Sequence, residues 1–272
     1  MRTLSVADGG EGTSQVLLEQ GAVRHEASAT NIYGEPLQAF WVQWKNFALV
    51  EASIGSRFVP PSQRKKDGMQ TTSWGTGQLI AQALNHPAVQ TVYVALGGSG
   101  STDGGMGMMA ALGARFYDAR GRLLLSEGKM IAQVAQAVLP TLAKPVIGLY
   151  DVAVPLYGPR GCVQMFGRQK GVAESALDEA DKDMMRYSKI LHQGGHGDPS
   201  VPGAGSAGGM GFGILALGGQ LQSGAEMVAQ WTHLDHWIQW ADCIVTGEGR
   251  IDDQTYEGKV VGTIVRHAQR QK

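Results

Sequence analysis

Runs of β-branched, aromatic and other apolar residues, broken by glycine-rich turns, give the first outline of this chain. Between residues 22 and 53 three such runs, Ala22–Thr30, Leu37–Trp44 and Phe47–Ala52, are separated by Asn-Ile-Tyr-Gly-Glu-Pro and by Lys-Asn. Connections that short join antiparallel neighbours, so the region is expected to form a β-meander. Thr91–Leu96 and Pro145–Tyr150 read as further strands, as do Arg2–Ala7 near the start and Ala241–Val245 near the end. Ala114–Tyr117 and Arg122–Leu125 flank Asp-Ala-Arg-Gly and read as a small hairpin.

Between these runs the period lengthens. Leu177, Ala180, Met184, Tyr187 and Leu191 recur at steps of three and four with charges between them, which predicts a helix over Ser175–His192. Helices are also expected over Thr13–Glu19, from Thr71–Gly77 to about Leu84, directly after Gly105, and over Ile131–Leu139. Others run from the glycine-rich segment 194–213 to about Gln222, end near Trp240, and follow Lys259. Strands alternating with helices predict an α/β fold. No internal repeat is visible.

Composition narrows the classes. Glycine, 39 of 272 residues, is at about twice its usual share, and it clusters at the ends of apolar runs, where turns belong. The net charge of −1 offers no field for nucleic acid or an anionic membrane. No apolar run approaches membrane-spanning length, and no secretory signal is read at the N-terminus. Cys162 and Cys243 match no metal spacing and read as buried small residues of a reducing compartment. The expectation is a globular cytoplasmic protein.

The stretch with most chemistry in it is Thr91–Phe116. Its strand runs into a loop with five glycines between Gly97 and Gly105, together with Ser99, Ser101, Thr102 and Asp103. Glycines let backbone N–H groups approach an anion, hydroxyls add donors, and a carboxylate adds a metal ligand. No Gly-Lys-Ser/Thr follows, so it is not a Walker A loop; taken alone it also fits a tight strand-to-helix turn. Four apolar runs end at a carboxylate set in glycines or a tight turn: Asp8, Asp103, Asp151 and Glu248. Ligands of open parallel sheets bind beyond the carboxyl ends of the strands, and carboxylates gathered there imply a cation. Singly, each also reads as a cap or turn former.

Other candidates read more plainly. Lys170 and Lys259 sit in loops and could neutralise phosphate, but lysines are mostly solvated. Arg57, Arg64, Lys65 and Lys66 could grip a small carboxylate, or form an exposed basic loop. Gly203-Ala204-Gly205-Ser206-Ala207-Gly208 spells G-x-G-x-x-G, yet no strand precedes it, so it reads as a lead into a closely packed helix. His192/His196 and His233/His236 lack a third ligand and read as structural or exposed.

Seven ordered blocks resemble the bacterial type-1 glycerate kinases: ADGGEGT at 7–13, TTSWGTGQLI at 71–80, ALGGSGSTDGGMGMMAALGARF at 95–116, YDVAVPLYGPRG at 150–161, FGRQKG at 166–171, PGAGSAGGMGFG at 202–213 and TGEGRIDDQTYEGK at 246–259. The resemblance implies transfer of the γ-phosphoryl of ATP to D-glycerate, giving phosphoglycerate, with 2-phosphoglycerate the usual product of the type. It implies a flavodoxin-like domain with a mixed sheet, residues 26–240, inserted in a second α/β domain built from residues 1–25 and 241–272.

Carried over position by position, the resemblance places Asp8, Asp103, Asp151, Glu248, Asp252 and Lys259 around an interdomain cleft. Gly97, Gly98, Ser99, Ser101, Thr102, Gly104 and Gly105 are then expected to hold ATP phosphates, and Asp8, Asp103 and Asp151 to hold Mg²⁺. Asp103, Asp151, Glu248, Asp252 and Lys259 are the expected catalytic residues, with Asp151 or Asp103 as base. Three positions depart from the usual pattern: Val154 stands where Asn is usual, Arg168 where Pro is frequent, and Gly100 where Ala is common.

Relatives of this type begin with a further strand and helix carrying Asp-Ser-Phe-Lys-Gly and continue past the equivalent of Lys272. A chain shortened at both ends, with an incomplete outer domain, is therefore expected. Its alternative function is a catalytically silent remnant that at most binds small anions. Apolar surface left by an incomplete domain leads to the expectation of homo-oligomers or a complementary chain. A nicotinamide-dependent oxidoreductase has only the G-x-G-x-x-G to support it.

Overall fold

A computed structural model describes residues 2–247 and 259–271. In chain order the first half contains α1 (Thr13–Glu19), β1 (Val23–Thr30), β2 (Pro36–Trp44), β3 (Phe47–Glu51), α2 (Ala52–Gly55), α3 (Trp74–Asn85), β4 (Thr91–Ala95), α4 (Met106–Ala111) and β5 (Arg115–Tyr117). The second half contains β6 (Gln136–Val138), β7 (Val146–Tyr150), α5 (Cys162–Phe166), α6 (Leu177–Gln193), α7 (Ser206–Ala216), β8 (Gln220–Ser223), α8 (Gly224–Trp231), α9 (Leu234–Trp240) and α10 (Val260–Arg270).

Six strands form one mixed sheet in the order β1-β2-β3-β4-β7-β8. The expected meander is present: β1, β2 and β3 pair antiparallel. The first turn is closed by Asn31, whose Oδ1 accepts from the N–H groups of Tyr33 and Glu35 at 2.9 and 3.1 Å, the local bond that suits Asn to turns. From β3 onward the pairing is parallel, β3 with β4, β4 with β7, and β7 with β8. β3 is buried at every position, as a central strand covered on both faces must be.

One face of the sheet packs Val50, Val92, Val94 and Val146 against α3, α4, α6 and α7. The other packs Leu49, Ala95 and Leu149 against Val16 and Leu17 of α1 and Val228 and Trp231 of α8. A separate small cluster joins Leu234 and Ile238 of α9 to Ile264 of α10, with Leu4 and Val6 against it. Because β3, β4, β7 and β8 run the same way, Glu51, the glycine loop, Asp151 and Gly224 all emerge at one edge of the sheet.

Several expectations are corrected. Residues 2–7 and 241–245 form no strand; Leu4 and Val6 bury their side chains against α9 and α10 instead of entering a ladder. β5 takes β6 as its strand partner. The expected hairpin is present only as an antiparallel bridge between Tyr117 and Leu123, with Asp118 N–H donating to Arg122 O at 3.0 Å and Leu124 N–H to Phe116 O at 2.9 Å. Asp118 closes the turn between them by accepting from the N–H groups of Arg120 and Arg122, both at 2.9 Å, and Leu123 and Leu125 remain exposed.

The same pairing replaces the helix expected over Ile131–Leu139 with a 3₁₀ segment, Gly128–Gln133, followed by β6; an open strand edge outweighs helical propensity. The helix expected to reach Gln222 stops at Ala216, where Gly218 at φ 80° turns the chain into β8. Cys162 is buried as expected, but Cys243 is exposed. No helix among the described residues is long and apolar enough to cross a membrane.

Candidate active site

The edge defined by the parallel strands is crossed by two glycine loops that touch. The Gly97 N–H donates to the Gly9 carbonyl at 3.4 Å. A Cβ placed on Gly97 would lie 2.5 Å from the Gly10 Cα and 3.0 Å from Asp151 Oδ2, and one on Gly10 would lie 3.1 Å from Asp8 Oδ1. Only glycine permits two backbones this close. The carboxylates of Asp8 and Asp151, both half-buried, flank that crossing. Burial, and then the charge of Asp8, push the Asp151 carboxyl above the ordinary aspartate range.

Glu51, at the end of β3, fastens the first loop. Its buried carboxylate accepts from the Ser14 N–H at 2.5 Å, the Gly12 N–H at 3.3 Å and the Ser53 hydroxyl at 2.9 Å. Negative charge at the head of α1 also complements the free N–H groups there. The sequence pattern hides this residue because it falls inside an apolar run rather than beside glycines.

Asp103 fastens the second loop. It is fully buried, and Oδ2 accepts from the Ser73 N–H and hydroxyl and from the Gly107 N–H, while Oδ1 accepts from the Gly105 N–H at 3.2 Å. Burial pushes its carboxyl up against the pull of these four donors. Between its two fastened ends the loop is flanked on both sides. Phe58 N–H donates to Gly98 O at 2.9 Å and Gly100 N–H to Ser56 O at 2.7 Å, while Gly104 N–H donates to Gly208 O at 3.0 Å.

The G-x-G-x-x-G segment thus packs on the glycine loop. Ala207, Gly208 and Gly209 take φ values of 57°, 67° and 97° and break α7 where it meets Ser101. This is the closely packed helix lead expected for it.

Lys170, expected on the surface, is buried in the site. Nζ donates to the Ser99 hydroxyl and the Ser101 carbonyl, each at 3.1 Å. Burial pushes its pKa down to about 8, against the opposing charges of Asp103 and Asp151. Its presence in the FGRQKG block was the available signal. The hydroxyls of Ser101 and Thr102 are buried without a partner among the described residues.

Beside the loop lies a pocket of ≈ 260 Å³ lined by Asp151, Val154, Arg160, Met165, Phe166 and Lys259. It brings together two of the expected catalytic residues, Asp151 and Lys259, and adds Arg160. Glu248 and Asp252 lie outside the described residues. Among the described residues, no three Asp, Glu, His or Cys side chains come together as a metal-holding group. The basic loop is largely occupied elsewhere: Arg64 binds the Gln169 carbonyl, Lys65 pairs with Glu35 at 2.7 Å, and exposed Arg57 stands 3.9 Å from Glu11.

A family model described as the glycerate kinase family matches residues 1–272. The chain belongs to this family. It is 39% identical over 271 residues to the glycerate 2-kinase of Escherichia coli (strain K12), covering 95% of this chain and 70% of that protein. It is 38% identical over 268 residues to the glycerate kinase of Bacillus cereus (strain ATCC 10987 / NRS 248), covering 94% of this chain and 70% of the relative. A crystal structure from Salmonella typhimurium LT2, provisionally named glycerate kinase 2, superposes with a TM-score of 0.86 at 36% identity, over 99% of this chain and 74% of that one. Glycerate kinases are phosphotransferases, and the use of ATP follows from that class.

Proposed function

We propose that this chain transfers the γ-phosphoryl group of ATP to D-glycerate, with 2-phosphoglycerate as the product. The observation that carries the reading is the pocket in which Asp151, at the end of β7, meets Lys259 and Arg160 beside a glycine-rich loop. A small acid with one carboxylate and two hydroxyls needs such a set: cations for its carboxylate and a carboxylate to take the hydroxyl proton.

The residues present fit the nucleotide and its metal. Two buried hydroxyls without partners, Ser101 Oγ and Thr102 Oγ1, stand in a loop with Gly98, Gly104 and Gly105 at positive φ, which suits phosphate oxygens. Gly97, Gly98, Ser99, Ser101, Thr102, Gly104 and Gly105 would hold the phosphates. Asp8 and Asp151 would hold Mg²⁺, an ion that commonly takes one or two protein carboxylates together with substrate phosphates. When bound, Mg²⁺ offsets the negative charge of the phosphates.

Roles follow from the surroundings of each residue. Asp151 is the base, since its carboxylate lines the pocket that would receive the glycerate hydroxyl. Lys259 and Arg160 grip the glycerate carboxylate, and Val154 supplies an apolar wall where the amide usual in the family is missing. Asp103, with its oxygens occupied by four donors, positions the loop and leaves the metal to Asp8 and Asp151. Glu248 and Asp252 keep catalytic parts by resemblance alone. We extend the proposal to an inserted domain over residues 26–240, an outer domain from the two ends, and a cytoplasmic enzyme that associates with a further copy or a complementary chain.

The test is incubation of the purified chain with ATP, Mg²⁺ and D-glycerate, followed by ³¹P NMR of the product. A glycerate-dependent 2-phospho ester supports the proposal. A 3-phospho ester corrects the product, and ADP formation independent of glycerate, or none at all, favours the anion-binding remnant.

A further inference from the structure

Lys170 reaches the site from the turn after α5, and that turn is secured independently of the glycine loop. The Lys170 N–H donates to the Phe166 carbonyl at 3.1 Å, Gly171 N–H to Arg168 O at 3.0 Å, and the Gly171 carbonyl accepts from Gly68 at 2.9 Å. Gly171 takes φ 85°, and a Cβ there would lie 2.5 Å from the Arg64 guanidinium. The lysine is therefore delivered from a fixed base. Its side chain is 5% exposed, and an ammonium is retained in such surroundings only where its donors and its charge are matched.

Two of its three donors are matched, by Ser99 Oγ and the Ser101 carbonyl. Its charge faces Asp103 and Asp151, with the buried Cys162 thiol and the Arg64 guanidinium as the other groups in range. The same loop carries the two partnerless hydroxyls. Without the ammonium, the Ser99 hydroxyl and the Ser101 carbonyl lose the side chain that joins them, and the loop keeps its backbone ties: Phe58 N–H to Gly98 O, Gly100 N–H to Ser56 O, and Thr102 N–H to the Thr71 hydroxyl.

We infer that Lys170 is a positioning residue of this site: its ammonium pins Ser99 and Ser101 in the shape that receives nucleotide phosphates and supplies the buried positive charge facing Asp103 and Asp151. The kinetic half of this inference rests on the proposed phosphoryl transfer; the pinning rests on the hydrogen bonds alone.

The experiment compares the full chain with its Lys170→Met, Lys170→Arg and Ser99→Ala variants at neutral pH. Two readouts are taken: hydrogen exchange of the amides of residues 96–105, and KM for ATP against KM for D-glycerate. Lys170→Met is expected to lower protection of the loop by about tenfold, the scale of a lost charged hydrogen bond, with the amides of β3, β4 and β7 unchanged. It raises KM for ATP more than KM for glycerate. Lys170→Arg restores most of the protection, and Ser99→Ala loses part of it. Wild-type protection in Lys170→Met overturns the inference. Should Lys170→Met not fold, undiminished protection in Ser99→Ala overturns it. A chain inactive toward glycerate whose loop still loosens in Lys170→Met would refute the proposed reaction and leave the pin standing.

Discussion

Asp103 Oδ2 accepts both the backbone N–H and the hydroxyl of Ser73, each at 2.7 Å. The pair ties the head of α3 to the head of α4, and Ser73 Oγ extends the tie by accepting from the Met108 N–H at 2.8 Å. The far end of the glycine loop is therefore clamped by a buried carboxylate while its near end rests on Gly9 and Gly10. Removing the Ser73 hydroxyl takes one of the four donors from buried Asp103 and the side-chain acceptor from the Met108 N–H, while removing the carboxylate leaves all four donors without their acceptor. An unmade buried hydrogen bond costs about 1–3 kcal/mol.

Ser73→Ala is expected to lower stability by about 1–2 kcal/mol, and Asp103→Asn by more, because the amide turns a donor toward the N–H groups it must accept from. Urea unfolding monitored by tryptophan fluorescence measures both. Ser73→Ala with wild-type stability would show that the clamp contributes nothing.

Gly208 provides a second test of how the loop is held. Its φ is 67°, and a Cβ there would overlap the Ser101 carbonyl oxygen. Gly208→Ala is expected to cost about 1–3 kcal/mol in backbone strain and displacement and to weaken ATP binding, since the loop must move away. An Ala variant that binds nucleotide as well as wild type would separate the two segments functionally.

A pH dependence follows from His267 of α10. Nδ1 lies 2.7 Å from Asp235 Oδ1, and Nε2 lies 2.8 Å from Glu226 Oε2. A neutral imidazole has one N–H, so only the protonated ring can donate to both. Burial disfavours that charge, but the bonds to Asp235 and Glu226 outweigh it and raise the His267 pKa. The contribution to stability is then fully present below the unfolded histidine value of about 6.5 and lost as pH rises through the higher folded value.

The carboxylates work in the opposite direction. Asp235 is held below its ordinary value chiefly by its bond to His267. Glu226 is held low by His267 and Arg266 even though burial pushes it up. Their contribution fades only in acid. Arg270 and Gln271 also face Asp235, and because Asp235 is exposed the effect is modest. Thermal melts should show wild type losing stability from pH 6 to pH 9 relative to His267→Gln; parallel curves would contradict the assignment.

Much of this architecture was legible in the chain itself. The meander could be read from Ala22 to Ala52 because alternation and short turns are local signals, and α6 because its apolar stripe repeats without interruption. Arg115–Tyr117 and Gln136–Val138 could not be paired in advance, since a strand's partner is a long-range choice and Asp118 closes a more local turn. Within the site, Asp151 and the glycine loop announced themselves by their place at strand ends. Lys170 and Glu51 did not: one is a common surface residue and the other sits inside an apolar run, and only the folded chain brings them to the same edge.

The most direct test of the account is glycerate-dependent ADP formation by the wild-type chain and by Asp151→Asn, assayed side by side with ATP and Mg²⁺. The account predicts turnover by wild type and a loss of at least about 100-fold in kcat for the variant, the scale of a removed general base. Equal rates in the two proteins would contradict it.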